Sequence, residues 1–403
     1  MKSFSPGKKG KKAKFQKFGD LEKKYLDEVI ESAQLFYNNG EKTKKFCKKA
    51  QKYFNTNFCA TASSGTAAIH AAIGALEISP GKEVITSPIT DMGTLIGLLY
   101  QNLIPRFADV DPNTYNITPD SIEKVITERT SAIIVVHLAG NPADMDGILK
   151  LADSRGIKVI EDCAQSYGAL YKGRKIGTFG AMGCYSLNAF KHISCGDGGF
   201  VITNDKEYHE RVVNFADKSY DRLNTGRRLT ILAPCYRITE LQSAVALAQM
   251  DKIEYITSRR HELGDLFNDG IKDLEGIGPH KVEEDNYCSY WFTMIRVDPE
   301  KICHRNEFTI ALKSEGIPAG AGYIDKPIYM EPVFANKSFF PGGIWPAEVI
   351  SGLEIEYKEG DCPIAEEVLK TGIRIPIDET NTEETILDWV EKIKKVHGFY
   401  LED

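Results

Sequence analysis

The sequence predicts an α/β protein in two unequal parts: a large domain with a mostly parallel mixed sheet flanked by helices, and a smaller C-terminal α+β domain. Three observations lead there. Short continuous apolar runs at 84–87, 104–108, 132–137 and 157–160 alternate with helical stretches at 67–76, 93–101, 120–127 and 145–153. Strands that are apolar on both faces belong in a parallel sheet covered by helices, and right-handed crossovers then wind that sheet doubly. From about residue 265 the alternation stops, and one strand at 290–297 sits among helices at 306–315 and 383–396.

The elements follow in order. Residues 1–18 form a basic flexible tail, 19–255 the large domain and 256–403 the small one. Leu21, Tyr25, Val29 and Ala33 repeat at helical spacing, so 21–37 is an amphipathic helix that ends at Asn38, Asn39 and Gly40. A second, lysine-rich helix covers 43–54. Ser63, Ser64 and Thr66 are N-cap types before the apolar run at 67–76. His70 in that run reads as a packed core histidine. Residues 207–217 form a helix leaving the sheet, and 218–233, with Arg222, Arg227 and Arg228, form an exposed loop. One long helix runs from 240 to about 261. The segment 320–360, rich in proline, glycine and aromatics, reads as a long loop over the mouth of a site.

A chain of 403 residues can bury a large core. No apolar run approaches the ~18 residues of a membrane span, and no apolar leader opens the chain. Nine cysteines without a C-x-x-C pair fit free thiols in a cytoplasmic setting. Cys163, Cys184 and Cys195 read as small core residues. The net charge of −7 is uneven: residues 1–60 carry 15 lysines and 6 acids, a balance of +9, against −16 for the rest. The lysine-rich start is a solvated tail or a contact for an anionic partner. It lacks interleaved aromatics for base stacking, which speaks against nucleic acid. No G-x-G-x-x-G follows a strand, which weakens a dinucleotide reading.

The stretch 157–203 carries the chemistry. An apolar run ends in Glu161-Asp162, a glycine-punctuated loop follows, and a second run at 182–187 leads to Lys191 and the turn Gly196-Asp197-Gly198-Gly199. One acid and one lysine therefore lie just beyond the carboxyl ends of two strands, the edge where open parallel sheets bind ligands. The pattern D-x-A-Q-x-x-G-A-x-Y-K-G-R-K-x-G-T-F-G, then S-x-x-x-x-K, then G-D-G-G, resembles the DegT/DnrJ/StrS-type sugar aminotransferases that use pyridoxal 5'-phosphate (PLP). The resemblance runs from about 20 to 395 and extends to Ser64-Gly65-Thr66, Tyr236-Arg237 and Cys362-Pro363-Ile364-Ala365-Glu366.

That resemblance implies the fold-type I PLP transferase architecture and a set of roles. Lys191 is the Schiff-base lysine and proton shuttle, and Asp162 holds the pyridine nitrogen protonated. Ala164 and Gln165 lie against the ring, and Ser64, Gly65, Thr66 and Ser186 hold the phosphate. Gly65 and Thr66 open a helix, whose free amides suit a phosphate. His137, Arg237 and Tyr323 are candidate substrate contacts, with Arg237 a carboxylate anchor or a structural ion pair. No metal is implied. The chain departs from the pattern twice. Where the family stacks an aromatic residue on the ring stand Asp91 and Met92, so either Met92 covers the ring or Asp91 hydrogen-bonds there. Cys235 replaces an asparagine that reaches the partner's phosphate in family homodimers, and a thiol is a poor donor.

The implied reaction moves an amino group from glutamate or glutamine to a keto sugar, nucleotide-linked or else a related keto-cyclitol, with pyridoxamine phosphate as the intermediate cofactor form. One rival is a PLP-dependent sugar dehydratase on the same fold, whose branch carries histidine in place of the lysine. The other is a non-catalytic regulator with a relict aminotransferase fold.

Overall fold

The protein is described from a computed structural model that covers residues 15–223 and 229–401. Its strands, in chain order, begin with β1 (Phe58–Ala62), β2 (Glu83–Thr86), β3 (Ile104–Phe107), β4 (Thr130–Val136) and β5 (Lys158–Asp162). They continue with β6 (Leu170–Tyr171), β7 (Arg174–Lys175), β8 (Met182–Ser186) and β9 (Gly199–Thr203). The later ones are β10 (Ile277–Pro279), β11 (Asn286–Tyr287), β12 (Thr293–Val297), β13 (Gly320–Ala321) and β14 (Gly372–Ile375).

Seven of them form one sheet in the order β1-β9-β8-β5-β4-β2-β3. All pairings from β8 to β3 are parallel, and β9 runs antiparallel to both of its neighbours. The sheet is thus mixed through a single reversed strand. β4 shows why the continuous apolar pattern was informative: Ala132 to Val136 are all buried, because helices cover both faces. A second, antiparallel sheet has the order β10-β12-β14-β13. The two regions are stitched by β11, which pairs with β6 across the chain.

Two apolar cores result. One surrounds the seven-stranded sheet; the other, built from residues between Leu263 and Val396, lies under the four-stranded sheet. The 320–360 segment differs from its sequence reading as a loop over a site mouth. It contains short helical turns at Ile328–Met330, Pro332–Ala335 and Pro346–Ser351. Phe334, Trp345 and Tyr357 bury their rings with Phe107 against the β3 edge. Burial of these rings holds the segment down. The single helix expected from 240 to about 261 is two helices, Glu240–Met250 and Ile253–Ile271, broken at Asp251-Lys252.

The basic start also differs where it is described. Residues 1–14 lie outside the described residues, but 15–18 pack on the body. Phe15 meets the Tyr255 ring at 4.7 Å, and the Lys17 carbonyl accepts from Gln249 and Lys252.

Candidate active site

A cavity of about 810 Å³ opens at the carboxyl ends of the parallel strands. The loop after β1 brings Ser64, Gly65 and Thr66 to it; the loop after β2 brings Asp91; β5 ends on Asp162 and β8 on Ser186. Lys191 enters from the turn between β8 and β9. Ala164, Gln165 and Tyr323 complete the sequence candidates that the fold brings together.

Each is placed by a local reason. Ser64 caps the Gly65–Ala75 helix by accepting from the Ala67 amide at 3.0 Å. The first helical amides then have no intrahelical acceptor and face the cavity. Glycine is required at two close approaches. A Cβ on Gly65 would stand 2.6 Å from the Ser186 Cβ, and one on Gly199 would stand 2.2 Å from the Ser64 carbonyl. Without those side chains the helix start packs directly against β8 and β9.

Asp162 is buried. Its carboxylate accepts from the Thr94 hydroxyl at 2.8 Å and from the Ala164 amide at 3.1 Å. Burial pushes its carboxyl above the usual range, against those two hydrogen bonds and the pull of Lys191. Burial also pulls Lys191 down to about 8, opposed by Asp162 and Asp91. Its Nζ lies 3.7 Å from the centre of the Trp291 ring. Gln165 spends its oxygen on the Ala139 amide at 2.9 Å, which leaves its NH₂ as the free donor. Asp91 takes the Gly93 amide at 2.8 Å and still lines the cavity. Tyr323 stacks on Phe292 at 5.3 Å, and burial raises its phenol.

Four candidates lie elsewhere. His137 is fully buried below the sheet edge, with Nε2 3.2 Å from Glu161 and Nδ1 accepting from the Ala143 amide at 3.1 Å. It is a structural knot, because Glu161 also takes the Gly177, Phe179 and Gly180 amides. Those bonds also occupy the carboxylate in the compact His137–Glu161–Cys163 group, which argues against a metal there. Arg237 pairs with Asp217 at 3.4 Å and packs over Phe36, so it is the structural ion pair of the two readings. Met92 packs against the large core and does not line the cavity, whereas Asp91 does. Cys235 is exposed and bridges to Asp217 in the backbone.

The sequence reading missed Arg260, Trp291 and Arg374 on the small-domain wall. No local motif marks them; they converge only through the packing of Ile253–Ile271, the chain before β12, and β14. Arg260 is tied down by Glu379, its Nε donating at 2.6 Å. The Arg374 Nε is buried without a hydrogen-bond partner.

Residues 16–394 match the DegT/DnrJ/EryC1/StrS aminotransferase family. The chain belongs to that family. It is a PLP-dependent transaminase. A GDP-perosamine synthase of Escherichia coli O157:H7 is 32% identical to the aminotransferase, over 94% of this chain and 96% of its own. A solved aminotransferase from Psychrobacter cryohalolentis superposes with a TM-score of 0.86 at 28% identity, covering 99% of this chain and 100% of its own. The same fold serves an E. coli GDP-4-keto-6-deoxy-D-mannose-3-dehydratase, solved with hydrated PLP, at a TM-score of 0.83 and 22% identity over 94% and 98% of the two chains.

The depressed Lys191 has a measurable consequence. Only the neutral amine attacks a carbonyl, so capture of added PLP by the empty aminotransferase should quicken about tenfold from pH 6 to 7 and level off above about 8. Visible absorption follows the capture. A rate flat from pH 6 to 9 would contradict the placement of Lys191.

Proposed function

We propose that this aminotransferase moves an amino group from glutamate or glutamine to a keto sugar carried on a nucleotide, in amino-sugar biosynthesis. The observation that carries the reading is the pairing of Lys191, drawn down to about 8, with the buried Asp162 in one cavity. When bound, PLP would supply an electron sink and would alternate with its pyridoxamine form. Asp162 would hold the ring nitrogen protonated, the Gln165 amide would donate to the ring's phenolic oxygen, and Ser186 with the Gly65 and Thr66 amides would take the phosphate. Lys191 would carry the proton. The close approach of Gly65 to Ser186, both of which line the cavity, supports that placement. Arg374 replaces Arg237 as the anion contact, since its Nε lacks a partner while Arg237 is spent on Asp217.

The dehydratase reading has less support. Lysine stands at 191, and the neighbouring His192 is fully buried with Nε2 3.0 Å from the Ser289 carbonyl, so no histidine takes its place. We further propose a homodimer with the 218–240 segment in its interface and Cys235 near the partner's site. Leu229, Ile231 and Leu232 are exposed there, Leu232 by 98%. Residues 224–228 of that segment lie outside the described residues. The nine free thiols support a cytoplasmic setting.

The test is a two-stage incubation. Glutamate or glutamine alone should bleach the visible band of the PLP-loaded protein, and one of a panel of keto-sugar nucleotides should restore it while gaining an amine by mass spectrometry. A sugar that loses water and gains no nitrogen would overturn the reading.

A further inference from the structure

Two successive carbonyls at the reacting lysine are held from outside their own turn. The Phe190 carbonyl accepts from the Trp291 indole at 2.7 Å. The Lys191 carbonyl accepts from the Lys17 ammonium at 2.8 Å. Lys17 comes from the start of the chain, 174 residues away, and is itself fixed at three points. Its Nζ lies 3.4 Å from Glu379, whose side chain is 1% exposed. Its own carbonyl takes Gln249 at 2.6 Å and Lys252 at 2.7 Å. Phe15, two residues earlier, rests on Tyr255.

The charges around Lys17 make a closed set. Glu379 stands between Lys17 and Arg260, and Asp378 lies 3.7 Å from Arg260. Two cations and two anions therefore balance here, with Arg260 and Asp378 on the cavity wall and Lys17 and Glu379 behind it. Removing Lys17 takes the donor from the Lys191 carbonyl and also the charge beside the buried Glu379 Oε1, while Arg260 keeps its pairing to the other Glu379 oxygen, so rate and melting temperature are read together.

We propose that Lys17 is a positioning residue of the active site, which pins the peptide of Lys191 while Trp291 pins the peptide before it. The argument rests on Lys191 as the reacting lysine. A peptide held at both carbonyls fixes the direction in which the lysine side chain leaves the backbone. The side chain retains its own torsions for moving a proton, but starts from one place. Misplacing such a group by about an ångström costs on the order of a hundredfold in rate. Residues 15–18 do not line the cavity but support the turn that carries Lys191, and the basic start of the chain has a use at its inner end.

The experiment uses the full chain with Lys17→Met, which keeps the length and apolar stem of the side chain but lacks the donor. The empty protein should capture added PLP roughly tenfold more slowly, the size of one lost charge-assisted hydrogen bond. In the loaded protein, the maximum rate of the glutamate half-reaction should fall by a similar factor, with half-saturation within about twofold. Lys23→Met, an exposed control that among the described residues pairs with Asp20 at 3.2 Å, should change neither rate. Trp291→Phe keeps a ring under the lysine and removes the indole donor, so it should slow capture in the same sense. Wild-type capture in both Lys17→Met and Trp291→Phe would overturn the proposal, as would a lowered melting temperature with unchanged rates. Lys191→Ala gives no covalent capture if Lys191 is the reacting lysine. Capture by that variant would instead refute the reading on which the proposal rests.

Discussion

Lys191→Ala should abolish the half-reaction with glutamate, lowering its rate by on the order of a thousandfold or more. Two functions are lost at one position. The amine that holds the cofactor carbonyl is gone, and so is the base that carries the proton between carbon atoms; positioned proton transfer alone contributes 10²–10⁴-fold. Lys191→Arg should fare no better, since a guanidinium stays protonated. Near-normal turnover in either variant would refute the assignment. The same lysine should show its cost in the empty protein. Its folded pKa, about 8, lies below the unfolded value, so the cation is disfavoured by folding. That cost is absent above ~10.4, grows as pH falls, and is complete below about 8; the difference corresponds to roughly 3 kcal/mol. Lys191→Met, which fills the same space without charge, should therefore melt higher than the native chain at pH 7, with the gap closing above pH ~10. A fold that is less stable for holding its functional group is the expected balance at an active site.

How much of this was legible in the sequence depends on the range of the interactions involved. Strand β4 could be read because every residue from Ala132 to Val136 is apolar, and only a strand covered on both faces needs that. Asp162, Ser186 and Lys191 could be read because the chain places them at strand ends, and strand ends in a parallel sheet share one edge. His137 deceived for the same reason. It also ends a strand, but Glu161 on the neighbouring strand captures it below the surface. Nothing in the local pattern distinguishes a strand-end residue that turns up into the cavity from one that turns down. Arg237 is captured likewise by Asp217, twenty residues earlier. Arg260, Trp291, Arg374 and Lys17 were illegible because none has a neighbour in sequence that shares its task. They meet only when the small domain and the start of the chain close over the sheet. The 320–360 segment was misread from its prolines and glycines, whose turns are real, while its aromatics decide where it lies.

Asp162→Asn should leave PLP bound and slow the half-reaction with glutamate between ten and a thousandfold. The reasoning begins with burial. The carboxylate is held by Thr94 and Ala164 and largely shielded from solvent, so its pKa is raised. A desolvated carboxylate gains most from a cation placed against it, and a ring nitrogen facing Asp162 becomes that cation by taking a proton. Opposite charges in contact shift a pKa by ~1–3 units, or ~1.4–4 kcal/mol, and an asparagine cannot provide that shift. Binding should survive, because Gly65 and Ser186, proposed to take the phosphate, are untouched. The empty proteins provide a control on this account. For a carboxyl with a raised folded pKa, stability is fully present below the unfolded value near ~3.9 and is lost as pH rises through the folded value. The native chain therefore carries a cost at neutral pH that Asp162→Asn lacks. The variant should melt no lower than the native chain at pH 7.5, and its relative advantage should shrink toward pH 4. A variant that is slow because it is misfolded would melt lower at pH 7.5 and bind PLP poorly. Unchanged half-reaction kinetics in a well-folded variant would remove Asp162 from its role at the ring nitrogen.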